Sequence, residues 1–330
     1  MKQKIFYMLM ISLACAIRSS AQESVLAASG EPTIPEIVNP SFEEGTTGWV
    51  ITGRDLRRLG QSTNYVMRSE DTYSFDAHQT FSGIKHGLYR LRTQAFQVIG
   101  DVNQAWTLYP NEAVDTRLYI NDREMPVKNI FDETAPTNIY SVSSGDFITT
   151  TENTFVPFNA NAASTAFTNS FYENELYAYI DADNMTIGIK KDESARYQWT
   201  CFDNFRLEYI SEQDFSEMAD SIALFLSQPL YTEYQSVLTS LQSELKAAAD
   251  YAAESQVVMK YSLQFAAIRQ SHESYKALSE MISRVQALLA QSASSSPAAK
   301  DEATKASLPY KQPCRETCSP TRTARRSRPN

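Results

Sequence analysis

The sequence is poor in the residues that most often perform catalysis or bind transition metals. Its 330 residues include only three histidines, and His78, His86 and His272 lie far apart, without the spacing of a metal site. No glycine-rich phosphate loop follows a predicted strand, and no serine stands in a nucleophile elbow. Acidic residues are numerous, but none stands in a recognisable motif of the paired carboxylates that a glycosidase needs. We therefore predict that the chain is not an enzyme.

Cysteine is also scarce, with four residues in the whole chain. Cys201 stands alone in the body of the sequence, so the body cannot form an internal disulfide and its stability must come from a hydrophobic core. Cys314 and Cys318 lie near the end, with no second cysteine pair or histidines close by. The spacing of this pair is therefore weak evidence for a zinc site.

No apolar run is long enough for a membrane-spanning helix, which needs about 20 residues. Two lysines near the amino terminus precede a short apolar stretch, and small residues follow it. This pattern predicts a signal peptide over residues 1–21 and an exported protein, which would be periplasmic, outer-membrane-associated or extracellular. The alternative is a lipoprotein acylated at Cys15, but Ser12 stands where such signals have a bulky aliphatic residue.

The charge of the chain is negative and unevenly spread. The formal net charge is −9 at pH 7, although Lys and Arg outnumber Asp and Glu in residues 1–21 and 300–330. The acidic residues are therefore concentrated between these two segments. A body of this charge repels phosphate backbones, which argues against nucleic acid as a partner. Neutral glycans, cations and basic surfaces remain compatible with it.

Residues 37–211 have the pattern of an all-β domain, after a proline-containing lead-in at 22–36. Aromatic and β-branched residues alternate with polar ones, and Gly, Asn, Asp and Pro separate the segments. In residues 88–96, 116–120 and 185–190 the alternation has a period of two and leaves one polar face. We predict a two-sheet antiparallel sandwich.

The period of the apolar residues changes after Ser211. Apolar residues then recur every three or four positions, which predicts two or three helices. One begins near Glu212, one at Thr232, and a third extends from Gln256 to about Ala290. This spacing places the apolar residues in a stripe along each helix, which predicts helix-on-helix packing. Residues 212–291 are therefore predicted to form a small α-helical hairpin or bundle.

The last segment, residues 292–330, differs sharply in composition. It is poor in apolar residues and rich in basic ones, and this composition predicts a disordered tail. We interpret the tail as a non-native or frame-shifted end, beyond which the natural protein would continue.

Two motifs bracket the predicted sandwich. The first is VNPSFEEG at residues 38–45, with Gly-Trp at 48–49, and the second is WTCFDNFRLEY at residues 199–209. Between them stand GLYRL at 87–91, YENELY at 172–177 and MTIGIK at 185–190.

Residues 37–210 resemble the galactose-binding-like jelly rolls that occur as carbohydrate-binding modules in exported bacterial glycan-utilisation proteins. The resemblance implies an all-β jelly-roll sandwich followed by spacer-like helices. It also implies glycan binding without catalysis, as a targeting module or in surface glycan capture. The alternative is a structural or adhesion module that acts as a spacer and binds protein partners in a larger cell-surface assembly.

Aromatic residues on a loop can stack on the apolar face of a sugar ring. Trp106 and Tyr109 lie in a predicted loop and are candidates for such a platform, and the alternative is that Trp106 plugs the end of the sandwich. Trp49 and Trp199 stand beside the first and last strands and are predicted to belong to the core.

A second candidate surface is a row of polar residues on predicted strands. Arg90, Arg92 and Gln94 share one face of their strand, and Arg117 and Tyr119 share the polar face of another. Together they could line a concave sheet and bind uronate or sulfate groups. The alternative is a solvated face that balances nearby acidic residues.

Asp203 lies on an otherwise apolar face of the last strand, if the period of two holds from Trp199 to Tyr209. A carboxylate in a core is costly unless it is paired or binds a metal. The resemblance implies a structural calcium held by Glu43 and Asp203, with backbone carbonyls and Glu44 completing a shell of about 6–8 oxygens. The alternative is that Asp203 accepts hydrogen bonds from backbone amides of residues 39–45.

Overall fold

The computed structural model describes residues 32–61, 64–70, 72–101, 107–109, 111–140, 147–150, 154–193 and 197–291. The predicted signal peptide, most of the lead-in and the basic tail lie outside the described residues. The chain divides into two compact units, one formed by residues up to 216 with 248–262 and the other by 217–247 with residues from 263 onward. None of the described helices is long and apolar enough to cross a membrane.

The described part of the first unit contains fourteen strands. They are β1 (Val50–Gly53), β2 (Leu56–Gln61), β3 (Asn64–Glu70), β4 (Phe75–Ser82), β5 (Gly87–Asp101), β6 (Thr107–Leu108), β7 (Arg117–Ile120), β8 (Arg123–Pro126), β9 (Lys128–Asn129), β10 (Phe147–Thr149), β11 (Phe155–Pro157), β12 (Glu173–Ile180), β13 (Asn184–Lys191) and β14 (Gln198–Ile210).

The strands form two main sheets. The five-stranded sheet has the order β1-β4-β13-β7-β8, and the seven-stranded sheet has the order β12-β5-β14-β3-β2 with β6 and β9 added beside β5. The strands pair antiparallel, except that β9 pairs parallel with β5. β10 and β11 form a separate two-stranded ribbon. The predicted two-sheet sandwich is therefore confirmed.

A cluster of buried side chains, here called the inner cluster, fills the space between the sheets. Its members include Phe42, Trp49, Tyr89, Leu91, Ile187 and Phe202. Burial of apolar side chains is the main favourable contribution to such a fold. The indole nitrogen of Trp49 donates to the carbonyl of Asn39 at 3.0 Å, so its polar atom is satisfied within the core, as predicted for this residue.

A second buried cluster, here called the outer cluster, covers the other face of the seven-stranded sheet. Its sheet members are Val66, Phe96, Val98, Trp199 and Cys201, and they contact helix α1 (Ala160–Thr168) and residues 130–140. The side chain of Asn159 accepts from the amide of Ala162 at 2.9 Å and so begins this helix. Trp199 is buried, as predicted, but its core is this outer cluster.

A bulge interrupts β14. Its register with β5 shifts between Asp203 and Arg206, and Asn204 at this point has a φ of 56°. The bulge reverses the phase of the strand, so Trp199 and Cys201 belong to the outer cluster, whereas Phe205 belongs to the inner cluster. The prediction that one face extends without interruption from Trp199 to Tyr209 is therefore wrong.

Four further helices follow the sandwich. They are α2 (Glu212–Leu226), α3 (Thr232–Ala247), α4 (Tyr251–Tyr261) and α5 (Phe265–Gln291). The predicted starts of the first two helices are confirmed, but the prediction of one helix from Gln256 to about Ala290 is wrong. Asp250 begins a helix earlier by accepting from the amide of Ala253 at 2.9 Å, and a 3₁₀ turn at Ser262–Gln264 separates α4 from α5.

Helix α4 belongs to the unit of the sandwich and is fixed to it by Tyr251. The Tyr251 hydroxyl donates to the carbonyl of Ile210 at 2.5 Å and accepts from the amide of Leu88 at 2.8 Å. Gly87 has a φ of 146°, and a side-chain carbon at this position would lie 2.7 Å from the same hydroxyl. Glycine therefore allows the close approach of α4 to β5.

The second unit contains most of α2 together with α3 and α5. Its buried residues include Ile222, Phe225, Leu238, Leu241, Leu245, Ile268 and His272. The rings of Phe225 and His272 meet edge to face, with centroids 5.5 Å apart. Farther along α5, apolar side chains are exposed, namely Leu278, Met281, Val285 and Leu288.

Candidate functional site

The predicted polar row on β5 is buried in ion pairs. Arg90 and Arg92 are 6 % and 3 % exposed, and both bind Glu208 on the neighbouring strand β14. The guanidinium of Arg92 also lies 3.0 Å from Glu173 on β12, and that of Arg90 lies 3.7 Å from Glu175. The guanidinium groups are therefore occupied by protein carboxylates.

The environment of Arg90 favours its charged form. Burial alone would lower the pKa of the guanidinium, but Tyr177, Glu208 and Glu175 together raise it. Gln94 is also fully engaged, because its amide donates to Phe167 and accepts from Asn204. A uronate or sulfate group would have to displace these partners to reach this row.

Tyr119 lies on a different sheet from Arg90, Arg92 and Gln94. Tyr119 and Arg117 are on β7, and the Tyr119 hydroxyl donates to Asp76 on β4 at 2.8 Å. Desolvation and this hydrogen bond both raise the pKa of Tyr119. The expected single surface of two arginines, a glutamine and Tyr119 is therefore corrected, since the structure divides these residues between two sheets.

The predicted aromatic platform is described only in part, because Trp106 lies outside the described residues. Tyr109 follows the short strand β6 and is half-buried, and its amide donates to the carbonyl of Ile99 at 2.9 Å. The backbone of Tyr109 thus continues the pairing of β6 with β5.

The predicted calcium ligands differ in how they are engaged. Asp203 is fully buried at the bulge of β14, and neither carboxylate oxygen has a hydrogen-bond partner. Burial, reinforced by the charge of Glu43 and opposed by the amide of Asn204, raises the pKa of Asp203 to about 8. No amide of residues 39–45 binds Asp203, and the first and last strands are joined instead by the amide of Phe205, which donates to Pro40 at 2.9 Å.

Glu43 is already engaged by other groups. One carboxylate oxygen accepts from the amide of Tyr65 at 3.0 Å, and the other lies 3.6 Å from the guanidinium of Arg58. Arg58 also donates to the carbonyls of Phe42 at 2.8 Å and Glu43 at 2.6 Å. The described residues contain no group of three or more His, Cys, Asp or Glu side chains that could hold a metal ion. The orphaned oxygens of Asp203 fit a cation, but the shell would need backbone carbonyls.

A cavity of about 530 Å³ lies beside α4. Its walls come from the β7–β8 turn, strand β8, the end of β12, the β12–β13 turn and one face of α4. The polar residues that line it are Asn121, Asp122, Arg123, Glu124, Asp181 and Gln256. Tyr179 is the aromatic residue of the lining, and it is half-buried.

Two contacts attach α4 to the walls of this cavity. The amide of Tyr179 donates to the sulfur of Met259 at 3.2 Å, and the guanidinium of Arg123 donates to the carbonyl of Met259 at 3.3 Å. The rings of Tyr179 and Tyr251 also meet, with centroids 6.3 Å apart. The helix therefore holds both edge strands, β8 and β12, in place around the cavity.

Sequence reasoning missed this cavity. Asn121 and Asp122 have the pattern of a turn, and Tyr179 has that of an ordinary strand residue. The contact between Tyr179 and Met259 joins residues 80 positions apart. No local pattern encodes such a contact, so the helical segment gave no signal that one of its helices would complete a site on the sandwich.

No protein-family model matches the sequence, and no curated protein sequence is significantly similar to it. As the motif resemblance predicts, solved structures similar to the chain include sandwich carbohydrate-binding modules. TmCBM61, solved in complex with β-1,4-galactotriose, is 14 % identical with a TM-score of 0.29, over 52 % of this chain and 95 % of that chain. TmCBM27, described for specific mannan recognition, is 12 % identical with a TM-score of 0.23, over 54 % and 98 %.

The enzymatically active domain of tailspike protein 4 from bacteriophage CBA120 is also similar. It is 11 % identical with a TM-score of 0.28, over 53 % of this chain and 21 % of that chain. At such identities and TM-scores, none of these similarities assigns a ligand or an activity to the chain.

Proposed function

We propose that the first unit is an exported, non-catalytic glycan-binding module and that the cavity beside α4 is its binding site. The cavity itself is the observation that carries the proposal. Its volume of about 530 Å³ lies within the range of about 300–1,000 Å³ that is usual for small-ligand sites. Amide and carboxylate side chains can bond sugar hydroxyls, and the ring of Tyr179 offers an apolar surface.

The other surfaces of the sandwich are less suited to this role. The outer cluster is covered by α1, and the arginines of β5 are paired with Glu208. The accessible face of the five-stranded sheet presents charged and hydroxyl side chains, but its aromatic residue, Tyr119, is only 6 % exposed. The cavity is therefore the described site that best combines an aromatic residue with several polar groups.

The acids of the cavity support binding better than hydrolysis. A glycosidase needs two carboxyl groups in distinct protonation roles on either side of the bond. Glu124 is paired with Lys190 and lies 3.8 Å from Arg117, so cations of the protein already occupy its carboxylate. Asp122 and Asp181 are exposed on turns, where water surrounds them. We expect no release of reducing sugar from any glycan that the protein retains.

The test is retention of the full chain on a glycan array, compared with Tyr179→Ala. Loss of retention in this variant, with an unchanged melting temperature, would support the site. Tyr73→Ala is the matched control, because Tyr73 is an exposed tyrosine of the β3–β4 connection that does not line the cavity. Retention that survives Tyr179→Ala, or falls equally in the control, would contradict the proposal.

The export part of the proposal depends on the first 21 residues. Expressed in a bacterium with its own amino terminus, the protein should be recovered outside the cytoplasm. Amino-terminal sequencing should then show a mature chain that begins at Gln22. A chain that keeps its first residues in the cytoplasm would contradict export.

A structural or protein-interaction role is the second candidate. The exposed apolar residues of α5, among them Met281 and Leu288, favour it because solvent-exposed apolar stripes often mark contact surfaces. A folded chain that is retained on no glycan of the array would favour this alternative.

We also propose that calcium binds beside the bulge of β14. Asp203 and Glu43 would supply its carboxylate ligands, and backbone carbonyls would complete the shell. The support is the buried carboxylate of Asp203, whose two oxygens have no other partner. Burial disfavours the ionised form of Asp203, and a bound ion would compensate the charge of its carboxylate.

A further inference from the structure

The charged residues around the cavity differ in whether the protein already neutralises them. Arg123 is held by the carbonyl of Met259, and Glu124 is paired with Lys190 and Arg117. These residues therefore offer little free charge to a ligand.

Asp122 and Asp181 are different. They lie on two separate turns, and no cationic partner contacts either of them among the described residues. Since Arg123 and Glu124 are already engaged, the charge of the lining that the protein leaves uncompensated is that of these two acids. The potential in the cavity is therefore negative, and it repels uronate and sulfate groups while attracting cations.

We propose that the cavity binds glycans that contain amino sugars with a free, protonated amine, an inference that rests on the proposed function. The ammonium group is held by Asp122 and Asp181, and the face of the sugar ring lies against Tyr179. A charge-assisted hydrogen bond is about twice as strong as a neutral one, so the ammonium gains more from these carboxylates than a hydroxyl does. The electron-rich face of a tyrosine ring adds to the attraction of a nearby cation.

The test uses two oligosaccharides of equal length, a glucosamine hexamer and its fully N-acetylated form. They share the same backbone and differ at the nitrogen, which in a buffer below the pKa of the amine is a protonated amine in one and an uncharged acetamide in the other. We expect the free amine to be bound at least about tenfold more tightly, which corresponds to about 1.4 kcal/mol. The preference should shrink as salt is added, because exposed charges are screened.

The matched variants separate the cavity from the general acidity of the chain. Asp122→Asn with Asp181→Asn should remove the preference for the amine. The control is the double variant Glu36→Gln with Asp192→Asn, which changes the net charge by the same amount at two exposed acids that do not line the cavity. It should leave the preference for the amine unchanged. An equal loss in both double variants would mean that a polycation binds the acidic surface unspecifically, and would overturn the inference.

Two further outcomes distinguish the inference from the proposed function. If both hexamers bind equally and binding depends on Tyr179, the amine preference is wrong and the glycan site stands. If neither Tyr179→Ala nor the double variant of Asp122 and Asp181 changes the affinity for the free-amine hexamer, the cavity is not the site and both proposals fail.

Discussion

The two outer faces of the sandwich are built in opposite ways. The outer face of the seven-stranded sheet is apolar at one end, where Phe96 and Trp199 are buried under α1. The outer face of the five-stranded sheet presents Thr80, Asp76 and Lys190, which are partly or fully exposed. One sheet therefore has a core on both sides, whereas the other has a core on one side only.

This difference shows how the fold restricts where a ligand can bind. Residues 130–140, the β10–β11 ribbon and α1 add a third layer to the sandwich and cover the face on which Phe96 lies. Helix α4 adds a second cover near the start of β5, but it leaves a cavity beside β8 and β12. The site is thus created by the added elements rather than by the sheets themselves.

The largest expected effect lies in the covered face. Phe96 contacts Phe167 of α1, Tyr172 and Trp199, with ring centroids between 4.7 and 5.8 Å apart. Phe96→Ala should lower the free energy of unfolding by about 3–5 kcal/mol, since it removes a fully buried aromatic ring and leaves a cavity. Denaturant unfolding followed by tryptophan fluorescence measures this. A loss below about 1 kcal/mol would mean that α1 does not form a true core with the sheet.

Calcium gives the next largest effect. A bound ion should stabilise the chain by about 2.7 kcal/mol at a hundredfold excess over its dissociation constant. Asp203→Asn should abolish this response, and above about pH 8, where Asp203 is ionised, it should raise the melting temperature in chelator, because it removes a buried carboxylate that has no partner. The melting temperatures of the wild type in calcium and of the variant in chelator should thus both be higher than that of the wild type in chelator.

The control for this experiment is Glu36→Gln, which changes an exposed acid of the lead-in. It should respond to calcium as the wild type does. Identical melting curves of the wild type in calcium and in chelator, with no calcium in the purified protein, would contradict the proposed ion.

The attachment of α4 should have an intermediate effect. Tyr251→Phe keeps the ring but removes the hydroxyl that binds Leu88 and Ile210. An unpaired buried donor or acceptor costs about 1–3 kcal/mol, so we expect a loss of this size in thermal or denaturant unfolding. Glycan retention should also weaken, because the helix forms a wall of the proposed site. Unchanged stability would mean that α4 is held by other contacts.

The sequence predicts the sandwich well because a period of two is a local property. The same alternation predicts the polar row on β5, but it does not reveal that Arg90 meets Glu208, 118 positions later. It also fails at Asn204, where one bulged residue reverses the faces of β14. The cavity depends on the contact of Tyr179 with Met259 and is equally non-local. Local patterns therefore predict the elements, whereas partners and sites depend on how distant elements meet.

The smallest effect is expected on the open face, and a matched pair of threonines isolates it. The hydroxyls of Thr80 and Thr186 bond at 2.9 Å on the exposed face, and those of Thr116 and Thr200 bond at 2.8 Å where both residues are fully buried. Thr80→Val should change the free energy of unfolding by less than about 0.5 kcal/mol, because water replaces the lost partner. Thr200→Val should cost about 1–3 kcal/mol, because it leaves the buried Thr116 hydroxyl without its bond. Equal losses in the two variants would mean that the face around Thr80 is as dry as the interior, and that this face of the five-stranded sheet is not open to water as described.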